Sequence, residues 1–378
     1  MNHSIRLHGT ITNITYKPYL IEKLPQVMFY ENVNNWASSC QVTDGNFLWG
    51  VSKWVSPKRT RSYPYSRIYN TLNLSSVKLV TIIPLVKDEG KDGDRDYLQW
   101  DTISLMSSLN IYVIIAYYHD AEKNMRLNTK QNKVTHQKFY DDFVKEQMNL
   151  LLSYHSSALH WNLHQLEISH LDMILSKSIQ AFQEISTKTG VIFHSEQRLY
   201  DFREKISEHR DSFLRFSREK AKQAQNREVV TIQPKESLGH GIKATIDIKN
   251  YLGGTYYFTI DEVIIKNNTY FLVESKHTKK SILPSKNDIK DGLIKMVLYT
   301  SIDQLFLKSS YGALDFLPVL RLTSQKIKYR ITSKANAYDI KRFIDSHSFK
   351  KSHQKLIDQL FQEANKNNFQ VIIEYAKD

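Results

Sequence analysis

The sequence predicts a mixed α/β protein, with a central mixed β-sheet flanked by helices. Three observations carry that expectation. Apolar runs of strand length recur at Val77–Val86, Ile111–Tyr118, Ile260–Ile265, Tyr270–Val273 and Phe316–Leu322. Stretches with apolar spacing near 3.6 lie between and after them, above all within residues 130–228, as amphipathic helices require. Finally, 378 residues can bury more than one core, so length suggests two or three domains. The expected regions are an N-terminal α/β part at 1–128, a helical part at 129–228, a β-rich core at 229–325 and a helix–strand extension at 326–378.

Composition narrows the partners. The formal net charge is +13, which favours an anionic partner. Cys40 is the only cysteine, so neither an intrachain disulfide nor a cysteine-based zinc site can form. No run approaches the roughly 18 apolar residues of a membrane span, and the first residues lack a signal-peptide core. A cytoplasmic protein without membrane association is expected.

In chain order, the first element of note is Trp54–Tyr69 (WVSPKRTRSYPYSRIY), read as a loop. It interleaves Lys58, Arg59, Arg61 and Arg67 with aromatics, a pattern suited to phosphate and base contacts. Residues 77–118 read as strand–helix–strand, with Pro84 marking a strand end and the helix over Asp96–Leu109. The acidic loop Asp88–Asp96 matches neither a calcium loop nor a phosphate-binding glycine loop. Its acids would cap the following helix, with Asp94 or Asp96 at its positive end, or contact DNA bases.

Residues 130–228 read as helical throughout, for dimerisation or DNA contact. His160 and His164 share a helix face at i, i+4, but no glutamate follows His160 and no third metal ligand is evident. Val229–Gln233 is a short candidate strand. Glu236 then precedes a glycine-punctuated stretch, and Ile242–Ile248 alternates as a strand should.

The chemistry concentrates in Thr259–Thr278 (TIDEVIIKNNTYFLVESKHT). Asn267-Asn268 permits the positive φ that a tight hairpin turn demands. A turn centred there pairs Ile265 with Tyr270, Ile264 with Phe271 and, further along, Asp261 with Glu274. Residues i and i+2 on a strand share a face, so Asp261, Glu274 and Lys276 converge while Glu262 points away. Adjacent carboxylates repel unless positive charge lies between them. A hard divalent cation with oxygen ligands, with the Lys276 ammonium, would supply it.

Asp261 followed by Glu274-Ser275-Lys276 at a strand end resembles the PD-(D/E)xK nuclease superfamily, which includes many type II restriction endonucleases. The resemblance covers Thr231 to Leu322, with Ile260 where the motif has proline. It implies a restriction-endonuclease-like core at 229–325, Mg²⁺ as cofactor, and Asp261, Glu274 and Lys276 as catalytic residues. The metal ligands implied are Asp261, Glu274 and the Ser275 carbonyl, with Glu236 as a further candidate. It also implies 5′-phosphate products from double-stranded DNA, a homodimer on a palindromic target and a partner DNA methyltransferase.

Beyond the motif, Lys279, Lys280 and Lys286 form a basic stretch beside the site and are read as DNA-binding. Ser285 or Asn287 would cap a helix over Asp288–Ser301, whose buried face is Ile289, Leu293, Met296, Val297 and Thr300, with Lys290 and Lys295 elsewhere. A helix around Tyr338–Ala364 and a strand at Gln370–Tyr375 close the chain. Nearly three hundred residues outside the core fit target reading better than general digestion does. Two alternatives stay open: a repair or recombination nuclease, and a non-catalytic DNA-binding protein with Glu274–Lys276 as a salt bridge.

Overall fold

The computed structural model describes residues 5–54, 56–57, 62–74, 77–125, 132–208, 219, 242–307 and 312–376. The chain divides into two compact units, Lys23–Lys220 and a second composed of Met1–Glu22 with Ala221–Asp378. The mixed α/β class is what the alternating runs required. The grouping is not four consecutive regions, because the first strand, β1 (Ile5–Ile11), joins the C-terminal half.

The Lys23–Lys220 unit begins with β2 (Gln26–Met28), β3 (Ser39–Thr43), β4 (Leu48–Lys53), α1 (Ser62–Thr71) and β5 (Lys78–Pro84). There follow β6 (Val86–Asp88), β7 (Arg95–Tyr97), α2 (Trp100–Ser108), β8 (Ile111–Ala116), β9 (Tyr118–Lys123) and β10 (Val134–Phe139). Among the described residues four helices follow: α3 (Asp141–Leu152), α4 (Ala158–His164), α5 (Ile168–Thr189) and α6 (Gln197–Glu208). The sheet order is β2-β3-β4-β5-β8. Strands β5 and β8 pair in parallel from Leu79↔Ile111 to Pro84↔Ala116. Their near-continuous apolar runs suit a parallel pair covered on both faces.

Four expectations in this unit need correction. The helix after the acidic loop starts at Trp100, not Asp96, because Arg95–Tyr97 pairs antiparallel with Val86–Asp88. Asp94 and Asp96 therefore do not cap it: the N-cap is Gln99, and buried Asp96 accepts a 2.7 Å hydrogen bond from Ser56. Residues 130–228 are not helical throughout, since Val134–Phe139 is a strand paired with β9. Part of the expected basic loop is helical, from Ser62 to Thr71. Val229–Gln233, Glu236 and most of 209–227 lie outside the described residues.

The second unit continues from β1 with β11 (Ile242–Asn250), β12 (Thr255–Lys266), β13 (Thr269–Thr278), α7 (Lys286–Thr300) and β14 (Gln304–Leu307). It ends with β15 (Asp315–Ser324), β16 (Ile331–Thr332), α8 (Ala337–Asp345), α9 (Lys351–Lys366) and β17 (Gln370–Tyr375). These strands form one eight-stranded mixed sheet, in the order β14-β1-β11-β12-β13-β15-β17-β16. Strands β11, β12 and β13 make an antiparallel meander, and β13, β15 and β17 then run parallel.

The β12–β13 turn shows why this hairpin closes where it does. Asn267 and Asn268 adopt φ of 50° and 61°, the left-handed pair that a two-residue hairpin turn demands and Asn tolerates. Ile265 pairs with Tyr270, Ile264 with Phe271 and Glu262 with Val273. Helix α7 packs on β13 and β15. Its N-cap is Ser285, whose hydroxyl accepts from the Asp288 amide. Among the described residues, no helix is long and apolar enough to cross a membrane.

Candidate active site

The β12–β13 ladder ends at Glu262↔Val273, and one step beyond it the two strands present their acids. The Ser275 amide donates to Asp261 Oδ2 at 2.7 Å, so an Asp261 carboxylate oxygen takes the place of a β12 carbonyl. A residue's N–H and C=O face the same side of a strand, so the Ser275 carbonyl faces Asp261 as well. Glu274 and Lys276 share the next face, with Lys276 Nζ 3.0 Å from Glu274 Oε1. Glu262 points the other way and meets Arg321 of β15.

Helix α7 adds two residues that sequence reasoning missed. Asp291 Oδ2 lies 2.5 Å from Lys276 Nζ, and Lys295 Nζ donates to Glu274 Oε2 at 2.7 Å. They sit at i, i+4, on the helix face turned to β13. Helical periodicity places Lys290 and Lys295 away from the buried face, and the fold corrects both. Lys290 is buried and pairs with Glu22, and Lys295 is held under the sheet by Glu274. A signal for this was present: Leu293-Ile294-Lys295-Met296-Val297-Leu298 is apolar on every side of one lysine. A helix apolar all round is buried, and a buried charge needs a partner.

Gly292 explains how the helix comes this close. A Cβ there would stand 2.7 Å from Leu320 Cδ1 and 3.2 Å from Lys276 Cε. A mid-helix glycine costs about 1 kcal/mol relative to alanine, and here it leaves the space that Lys276 fills. Gly292→Ala should therefore shift Lys276 without removing any charge. We expect no gain in melting temperature from the better helix former. If the cluster is catalytic, turnover should fall by up to about 100-fold, the cost of a misplacement of about 1 Å.

The charges decide what the cluster can hold. Burial works against every ion in it. At Glu274 the ammoniums of Lys295 and Lys276 outweigh burial and keep the carboxyl below its ordinary value. At Lys276, Glu274 and Asp291 outweigh burial and hold the ammonium well above its ordinary value. Lys295 is likewise held charged, chiefly by Glu274. At Asp291 burial prevails over the Lys276 ammonium and raises the carboxyl, and Asp261 goes the same way. Burial, and then the Glu274 charge beside it, push its carboxyl up to about 7. Three carboxylates, Asp261, Glu274 and Asp291, face two ammoniums, and among the described residues Asp261 forms no ion pair.

That imbalance fits a Mg²⁺ ion. Among the described residues no three His, Cys, Asp or Glu side chains group for a metal. Mg²⁺, however, needs only one or two carboxylates and keeps waters and substrate phosphate oxygens for the rest. Asp261, Glu274 and the Ser275 carbonyl would supply three oxygens. Glu236 lies outside the described residues. Glu274→Ala would take from Lys295 its carboxylate partner, while Lys276 keeps Asp291, and should cost about 3–5 kcal/mol in urea unfolding. Glu274→Gln, which keeps the shape, should cost less.

The remaining sequence candidates are spread across both units. Lys279 and Lys280 are exposed just beyond β13. Lys286 is paired with Glu22 at 2.7 Å. Arg67, expected on a DNA-facing loop, is instead half-buried in α1 and donates to the Lys53 carbonyl at 2.5 Å. Lys58, Arg59 and Arg61 lie outside the described residues. In the acidic loop Asp88 is fully buried and accepts from Gly90, Arg95 and His194, so its role is to fasten the β6–β7 hairpin. His160 meets Tyr154, and His164 stacks on Trp161.

Comparison with known proteins leaves the geometry to stand alone. No protein-family model matches the chain, and no curated protein or solved structure matches it either.

Proposed function

We propose that the chain is a Mg²⁺-dependent endonuclease that hydrolyses phosphodiester bonds in double-stranded DNA, of the type II restriction class. The observation that supports it best is the convergence of Asp261, Glu274 and Lys276 where β12 and β13 part, with Asp261 in no ion pair among the described residues. The β11–β12–β13 meander followed by parallel β13, β15 and β17 is compatible with the restriction-endonuclease-like core that the motif implies.

In this reading Asp261, Glu274 and the Ser275 carbonyl hold the ion. When bound, Mg²⁺ supplies Lewis-acid charge at the scissile phosphate. Asp261 must give up its proton for the ion to bind. Lys295 holds Glu274 ionised from beneath. Lys276 is kept cationic by Glu274 and Asp291, so its role is to donate hydrogen bonds to the attacking water and to the charge that develops on the pentavalent phosphorus. Water oxygen bonds to phosphorus and releases a proton to solvent, the P–O3′ bond breaks as O3′ takes up a proton from solvent, and the products carry a 5′-phosphate and a 3′-hydroxyl. A homodimer would match a two-fold target, and a DNA methyltransferase would protect host DNA.

One observation favours a second reading. Both Glu274 oxygens and the Lys276 ammonium are already satisfied within the protein, as in a structural salt-bridge network of a DNA-binding protein. Digestion of phage DNA with and without Mg²⁺, by wild type and Glu274→Gln, separates the readings. Discrete Mg²⁺-dependent fragments, lost in the variant, support the restriction enzyme. A smear indicates a repair-type nuclease. Binding without cutting, on several DNAs of different sequence, leaves the salt-bridge reading.

A further inference from the structure

We infer that the loop after β15 and the corner between α8 and α9 form a phosphate-tracking surface that leads double-stranded DNA to the Glu274–Lys276 end of the sheet. Its direction rests on the nuclease reading; the binding surface does not. Strands β13 and β15 are parallel and pair Lys276 with Leu322 and Thr278 with Ser324. The chain leaving β15 therefore emerges at the sheet end where Lys276 stands. The Ser324 hydroxyl donates to the Ser281 carbonyl at 2.7 Å, which ties this exit to the loop carrying exposed Lys279 and Lys280.

Packing then gathers cations from separate stretches. The Lys328 amide donates to His347 Nε2 at 2.8 Å. Tyr329 packs edge-on against Phe343, with ring centroids 5.5 Å apart, and its hydroxyl meets Ser346 Oγ at 2.7 Å. Phe343 in turn packs on Phe349. This clamp fixes the 326–330 loop against the α8–α9 corner. Lys326, Lys328, Arg342, Lys350, Lys351 and Lys355 are all exposed there. No acidic side chain lies in the first turn of α9 to oppose them. Six exposed cations, against Asp345 at the end of α8 and Asp358 in α9, leave this corner net positive at the sheet end that carries the carboxylate–lysine site, a charge complementary to a polyphosphate backbone. The DNA contacts expected at Arg67 and Lys286, which the fold engages elsewhere, are here replaced.

The test is titration of a labelled duplex in EDTA at a series of salt concentrations. It compares wild type with a variant carrying Lys326→Gln, Lys328→Gln, Lys350→Gln and Lys351→Gln. Because the four lysines are exposed, the melting temperature should hold. We expect affinity to fall at least about tenfold, and the slope of log affinity against log salt to flatten by about 0.9 for each phosphate that the variant no longer neutralises. Unchanged affinity and slope would overturn the inference. So would binding to phosphatidylserine vesicles with no binding to duplex, which would make the surface a membrane contact. Because EDTA removes catalysis, the two readings fail separately. Weakened binding by the variant in a protein that never cleaves DNA keeps this surface and sinks the nuclease. Cleavage by wild type with unweakened binding by the variant does the reverse.

Discussion

Replacing Lys276 with methionine should lower Mg²⁺-dependent DNA cleavage by about 100- to 1000-fold, the cost of removing one preorganised donor from a developing charge. Methionine keeps the stem length, so the space beside Gly292 stays filled. The variant also leaves Glu274 with Lys295 as its remaining partner, so some loss of stability is expected and must be measured by denaturation. Duplex binding in EDTA should change by less than cleavage does, because Lys276 is mostly covered and one charge among many. Asp261→Asn should match the loss of cleavage while removing only a charge at the edge of the cluster. If both variants cut DNA at the wild-type rate, the site lies elsewhere. If Lys276→Met fails to fold while Asp261→Asn folds and still cuts, Lys276 belongs to the framework alone.

The hairpin at the centre of this site was legible because two local rules agree there. Period-two apolar runs set the faces, and Asn267-Asn268 set the turn, so register followed from arithmetic. A strand read at Val77–Val86 and another at Ile111–Tyr118 were found for a similar reason: a continuous apolar run that short has few other uses. The same rules were blind to Asp291 and Lys295. Their partners lie fifteen and twenty-one positions away in sequence, across a strand-to-helix connection. Helical periodicity assigns a face but not what that face meets. Lysines were assumed to seek solvent, and the run of apolar neighbours around Lys295 argued otherwise.

Elsewhere the misses have a common cause. Val134–Phe139 (VTHQKF) has weak alternation and becomes a strand because β9 lies beside it, a tertiary effect that overrides local propensity. Asp96 looked like a helix cap because it precedes an apolar-periodic stretch, yet a two-stranded ladder consumes Arg95–Tyr97 first. The parallel pairing of β1 with β11, across more than two hundred residues of sequence, left no local trace. Local patterns reveal elements, whereas ion pairs and long-range strand neighbours follow from the packed fold.

The strongest pH effect should come from Asp261. In the folded protein its carboxyl is pushed up to about 7 by burial and by Glu274, against an ordinary value near 4 in the unfolded chain. A carboxyl raised on folding favours the folded state while it is protonated, so its contribution is full below about pH 4. It fades as pH rises and is gone above about 7. Metal-free wild type should therefore lose melting temperature between about pH 4 and 7 relative to Asp261→Asn, which has no proton to lose. Mg²⁺ reverses the sense, because it binds the ionised form. Its apparent affinity should fall up to about tenfold per pH unit below 7, one proton being taken up for each ion released. Isothermal titration of Mg²⁺ from about pH 5.5 to 8 in buffers of different ionisation enthalpy would count that proton directly. Affinity that stays flat across this range, with no proton exchanged, would remove Asp261 from the metal site and leave the excess carboxylate of this cluster without its cation.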